Sequence, residues 1–110
     1  MKIPADAIIA DDKLTGYLLV PRPRDDKSRF LAQAGFSQQN PQVLRGAIRR
    51  LVDSSEAVED GVNDYGLFLR VEGDFVGPLA SLSVVLIWMR RHVDGSTHFV
   101  TLKPRKEKEA

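Results

Sequence analysis

Two histidines are the chain's proton-transfer side chains near neutral pH, and both fall beside one stretch rich in cations and aromatics: Trp88, Arg90, Arg91, His92, His98, Phe99, Thr101 and Lys103. A histidine within reach of an arginine and a threonine suits phosphodiester chemistry, with Arg90, Arg70 and Lys103 stabilising phosphate charge. His92 or His98 would then transfer protons, while Trp88 and Phe99 would stack on bases. No Glu or Asp belongs to that set, so it lacks a carboxylate partner for the histidines. The alternative for each histidine is a satisfied residue at the rim of a sheet.

Other chemistries find no support. The chain has no cysteine, which removes disulfides, thiolate ligands and a thiol nucleophile, and with two histidines no structural zinc site is expected. No phosphate-binding glycine loop, zinc motif or nucleophile elbow is present. No metal or other cofactor is expected. With 16 Lys+Arg against 15 Asp+Glu the formal net charge is +1, so any basic site must be local. The sequence shows neither a signal-peptide pattern nor the roughly 20 consecutive apolar residues of a membrane span, and a reducing, cytoplasmic setting is the expectation.

These residues need elements to position them. A length of 110 residues suits one core, expected over residues 1–103, with 104–110 as a charged mobile tail. Asp11-Asp12 can cap a helix over Lys13 to Val20, with Leu14, Tyr17 and Leu18 on one face. Pro21-Arg22-Pro23-Arg24 cannot continue it and reads as an extended, solvated connector. Asp25-Asp26 offers the next cap, for a helix from Lys27 to Ala34 that Gly35 stops in a left-handed conformation, with Phe36 packing back on it. Asn40-Pro41 starts a third helix, to about Asp53, its side-chain cap followed by proline at the first turn. Leu44, Ala47, Ile48, Leu51 and Val52 share its inner side.

Thereafter the period changes to two. Glu56 to Asp60 reads as a weak strand, Gly61 to Asp64 as a turn, and Tyr65 to Glu72, Ser81 to His92 and Thr97 to Lys103 as strands. Asp94-Gly95 signals a tight hairpin. A two-residue turn there pairs Val93 with Ser96, Arg91 with His98, Arg90 with Phe99 and Trp88 with Thr101. On that register Val85, Ile87, Met89, Val100 and Leu102, joined by Leu67, Leu69 and Val71, form the side that receives the helices. The opposite side carries Phe68, Arg70, Leu86, Trp88, Arg90, His92, Thr97, Phe99, Thr101 and Lys103 and stays open. A slip of one residue would exchange the two faces.

Five segments, in order, resemble a family of small uncharacterised bacterial domains that are common in cyanobacteria and also occur at the C-termini of larger, toxin-like proteins. They are Lys13 to Leu19, Asp26 to Phe36, Gly77-Pro78, Leu82 to Met89 and Thr97 to Pro104. The resemblance implies the fold and no particular activity. Its members tend to read Gly-Pro-Asn-Gly where this chain has Gly77-Pro78-Leu79-Ala80. They also tend to carry threonine at Leu86, lysine at His98 and tyrosine at Lys103.

The expected architecture is therefore α+β, with about three N-terminal helices packed on one face of a C-terminal four-stranded antiparallel sheet. Function is expected on the open face. There Phe68, Leu86, Trp88 and Phe99, rimmed by Arg70, Arg90 and Lys103, would dock a partner protein. The alternative is a small ribonuclease of toxin type, which shares this layout and would act on RNA through His92 or His98. A protein partner or RNA is expected, without a membrane or a metal.

Overall fold

The computed structural model describes residues 1–21, 23 and 27–105. The arginines of the proline connector, the Asp25-Asp26 cap and the tail from 106 onward lie outside the described residues. Helix α1 (Asp11–Lys13) runs on into a wider π-helical turn, Leu14–Leu18, followed by α2 (Lys27–Ala32) and α3 (Pro41–Ser54). Strands β1 (Val58–Val62), β2 (Gly66–Val76), β3 (Ser81–Arg91) and β4 (Thr97–Pro104) form one antiparallel sheet in the order β1-β2-β3-β4. This is the expected α+β architecture of three helices and a four-stranded sheet.

The wide turn has a packing reason. Leu19 donates its amide to Leu14 across five residues (2.9 Å), and the extra residue in the turn lets Leu14, Leu18 and Leu19 all enter the core. Tyr17 stays half-buried, its hydroxyl 3.2 Å from Thr101 Oγ1 on β4. Helix α2 ends as expected: Gly35 has φ +92°, and bonds from Phe36 N to Leu31 O and from Gly35 N to Ala32 O close a Schellman motif. Phe36 then meets Phe75 of β2 edge to face at 5.9 Å.

Helix α3 buries the five predicted residues and carries Pro41 in its first turn. Its cap differs from expectation. Asn40 turns away from the helix, and its Oδ1 accepts from the Ser37 amide (2.9 Å) and hydroxyl (3.0 Å), so it fastens the preceding loop instead. The helix crosses β2 at Gly73, where a Cβ would stand 2.5 Å from Leu51 Cδ1. That close approach explains why β2, expected to end at Glu72, passes straight through Gly73-Asp74 and continues to Val76.

The N-terminal segment adds an extended stretch beside the sheet. Ile3, Ala7 and Ile9 are buried, and Ile8 bridges His98 in parallel, its amide donating to Thr97 O and its carbonyl accepting from Phe99 N, both at 2.8 Å. This covers part of the β4 edge. Strand β4 runs to Pro104, and the Arg105 amide donates to Ser83 O (3.0 Å).

The faces of the sheet are the main correction. Trp88 is 0% exposed and Phe99 2%; their rings meet edge to face at 5.3 Å inside the core, with Leu86 fully buried beside them. Trp88, Leu86 and Phe99 were expected on the open side. Three pairings move them. The hairpin loop spans four residues, with Arg91 N donating to Ser96 O and Gly95 (φ +72°) N to Arg91 O, so Trp88 faces Phe99 and Arg90 faces Thr97. A bulge then makes Val100 an extra residue in β4, setting Ile87 opposite Thr101 and Leu86 opposite Leu102. On the other flank Leu69 faces Trp88 and Val71 faces Leu86. The helices consequently cover Leu69, Val71, Phe75, Leu82, Val84, Leu86, Trp88, Phe99 and Leu102.

Candidate functional site

The face without helices is built from the alternate residues of each strand. Three rows cross it. Phe68, Met89 and His98 form one, with Ile8 beyond His98; Val58, Arg70, Ile87 and Thr101 form the second; Glu72, Val85 and Lys103 form the third. Phe68, Ile87 and Met89 are half-buried, Val85 is 5% exposed and Ile8 44% exposed, giving an apolar strip across the middle strands. Gly66 shapes its upper end: a Cβ there would stand 2.3 Å from Arg90 O and 2.8 Å from Met89 Cγ.

Polar side chains border the strip. Arg70 Nη1 donates to Asp60 Oδ1 (2.8 Å) and its Nε lies 3.6 Å from Glu72, which Arg105 approaches at 3.8 Å. Ser83 donates to Asp74 at 2.8 Å. Arg91 and Lys103 are exposed and have no ion-pair partner among the described residues.

Of the residues singled out from sequence, the structure brings Phe68, Arg70, Thr101, His98 and Lys103 to this face, with the Thr101 hydroxyl engaged by Tyr17. Trp88 and Phe99 are inside the core. Arg90 stands at the end of the core side, half-buried opposite Leu67 and Thr97. His92 lies in the hairpin loop, exposed, its Nε2 donating to Asn63 O at 3.1 Å.

The hairpin holds a chain of three side chains that the sequence reading missed. Ser96 Oγ donates to Asp94 Oδ1 (2.6 Å) and lies 2.8 Å from His98 Nε2. The Ser96 amide also donates to Asp94 Oδ1 (3.0 Å). Asp94 is fully exposed, yet Ser96, through its hydroxyl first and its amide second, holds the carboxyl below the ordinary value for Asp. The signal was available: residues 94, 96 and 98 recur with the period of one strand face. Asp94 had been counted only as a turn residue.

A lowered carboxyl gives a checkable result. Because the folded-state value is depressed, the contribution of Asp94 is present above the usual carboxylate range, near 4, and fades as pH falls through the folded-state value. Ser96→Ala should raise the Asp94 titration midpoint toward its ordinary value, read by carboxyl carbon NMR; an unmoved midpoint would contradict the assigned cause.

Beside this chain is a shallow cleft lined by Asp64, Tyr65, Met89, Arg91, His92 and Val93. Tyr65, one of its lining residues, is 75% exposed. Among the described residues no group of three or more His, Asp or Glu side chains is placed to hold a metal ion, and no helix is long and apolar enough to cross a membrane.

Comparison with known proteins adds a fold and a family. A chain of the contact-dependent growth inhibition toxin–immunity protein complex from Klebsiella pneumoniae 342 superposes with a TM-score of 0.69 at 19% sequence identity. The match covers 90% of this chain and 100% of that one, and at such identity it shows a shared fold. No curated protein matches the chain. The family model for the domain of unknown function DUF6883 matches residues 4–106, nearly the whole sequence and both faces of the sheet, and the chain belongs to that family.

Proposed function

We propose that the domain is a protein-interaction module that receives a partner protein on the helix-free face of its sheet. The observation that carries this reading is the strip of Phe68, Ile87 and Met89, continued by Ile8 and left uncovered by the helices among the described residues. An apolar strip with a polar rim has the anatomy of a protein interface. Arg91 and Lys103 at the border favour a partner whose apolar contact is flanked by carboxylates. The similar fold from Klebsiella pneumoniae 342 belongs to a complex of two proteins, which supports the reading.

A photo-crosslinking amino acid at Met89 tests it, with the same group at Gln42 on α3 as the control, since Gln42 is exposed on the helical side. In the cell of origin the Met89 probe should give one discrete protein adduct and the Gln42 probe none. Phe68→Asp, which places a charge in the strip, should remove the adduct. Equal labelling from both positions, or none from Met89 in the folded protein, would sink the proposal.

A further inference from the structure

We infer that the hairpin end of the same face is a proton-transfer site that cleaves single-stranded RNA, with His98 as its base and Asp94 and Ser96 as positioning residues. A serine hydroxyl has one proton, and the Asp94 carboxylate takes it at 2.6 Å. Ser96 Oγ therefore accepts from His98, which fixes the proton on Nε2 and leaves the lone pair on Nδ1. Asp94 thus supplies, through Ser96, a carboxylate for His98 that the set read from sequence lacks.

The order of the three groups excludes a serine nucleophile. In a hydrolase triad the histidine stands between serine and carboxylate and takes the serine proton. Here serine stands in the middle and gives its proton to the acid. Thr101 has its hydroxyl engaged by Tyr17, and the chain has no cysteine. The hairpin end brings together a base at His98 and the exposed guanidinium of Arg91, which has no ion-pair partner among the described residues, on the neighbouring strand next to the Met89–His98 pair. Tyr65, exposed and lining the same cleft as Arg91, offers a flat face for a base.

A base and an anion clamp without a nucleophile suit a substrate that carries its own. RNA does, in its 2′-hydroxyl. His98 Nδ1 takes the 2′-hydroxyl proton as the 2′-oxygen bonds to phosphorus and the P–O5′ bond breaks. The 5′-oxygen takes a proton from water, and His98 later returns its own to water. The products are a 2′,3′-cyclic phosphate and a 5′-hydroxyl, and Arg91 meets the charge that grows on the phosphoryl oxygens.

The experiment incubates the purified chain with total cellular RNA, a mixed-sequence single-stranded RNA oligonucleotide and its DNA counterpart. Wild type should cleave RNA to 2′,3′-cyclic ends, seen by phosphorus NMR, and leave DNA intact. His98→Gln, which keeps the side chain's bulk, should lower the rate about 100-fold or more. Ser96→Ala and Asp94→Asn should lower it less, shift its pH profile, and release His98 from the Nε2–H tautomer in nitrogen NMR. RNA left intact by folded wild type, cleavage indifferent to His98→Gln, or DNA cut as readily as RNA would each overturn the inference. The Met89 adduct is scored separately, so the two proposals fail independently.

Discussion

Trp88→Ala is expected to unfold the domain rather than to disarm a surface. The indole is fully buried, meets Phe99 edge to face, and sits between Leu69 of β2 and the helices above it. Removing a ring of this size from a closed core costs about 3–5 kcal/mol, from lost apolar burial and the cavity left behind. A domain of this size has about 5–15 kcal/mol in all, so the loss consumes a large share of it. The thermal midpoint should fall by about 15 °C or more. Circular dichroism across the melt, with the Met89 crosslink assayed well below the new midpoint, separates the two roles. Crosslinking that vanishes while the fold and midpoint are unchanged would mean that Trp88 acts at the surface.

That expectation reverses what alternation alone suggests, and the reason is specific. Period-two patterning in β3 separates Leu82, Val84, Leu86 and Trp88 from Val85, Ile87 and Met89 without saying which set is inside, since both are apolar. The decision lies in the neighbours. Gly77 N donates to Ala80 O, so the β2–β3 loop has four residues and places Val76 opposite Ser81. From there Leu69, Val71 and Phe75 fall on the Trp88 side, and Arg70, Glu72 and Asp74 on the other. The bulge at Val100 brings in Leu102 and sends Lys103 out. A bulge has no composition signal here, so a strict ladder drawn from Asp94-Gly95 misplaces everything beyond it.

By contrast α3, the Gly35 stop and the existence of β2, β3 and β4 were legible, because one helical face or one turn residue settles each locally. The candidate site was legible in part. Phe68, Arg70, Thr101 and Lys103 reach the open face as expected, whereas His98, placed by the two-residue turn opposite Arg91 and off that face, Tyr65, Arg91 and the Asp94–Ser96 link depend on a loop geometry that only the folded hairpin defines. One consequence links the two proposals. A partner seated on Met89 would stand directly over His98, so binding and RNA cleavage should exclude each other.

Two glycines, substituted identically, should respond with opposite signs. Gly77→Ala places a methyl 2.4 Å from the Ala34 carbonyl oxygen and 2.8 Å from its Cβ, where the β2–β3 loop passes over the end of α2. That same carbonyl accepts the Leu79 amide at 2.9 Å, so the loop cannot retreat without losing a bond that holds it down. Crowding of this kind costs about 1–3 kcal/mol. Gly46, within α3, has only Arg50 Nη1 near its Cβ position, at 3.7 Å, and alanine there should stabilise by about 0.5–1 kcal/mol through helix propensity. Denaturant melts of the two variants read both effects. Adding Ala34→Gly to Gly77→Ala is the sharper control: it removes the Cβ contact and leaves the nearer oxygen, so recovery should be small. Full recovery would show that the side chain, not the backbone, sets the approach of loop to helix and that this Gly-Pro corner answers to packing alone.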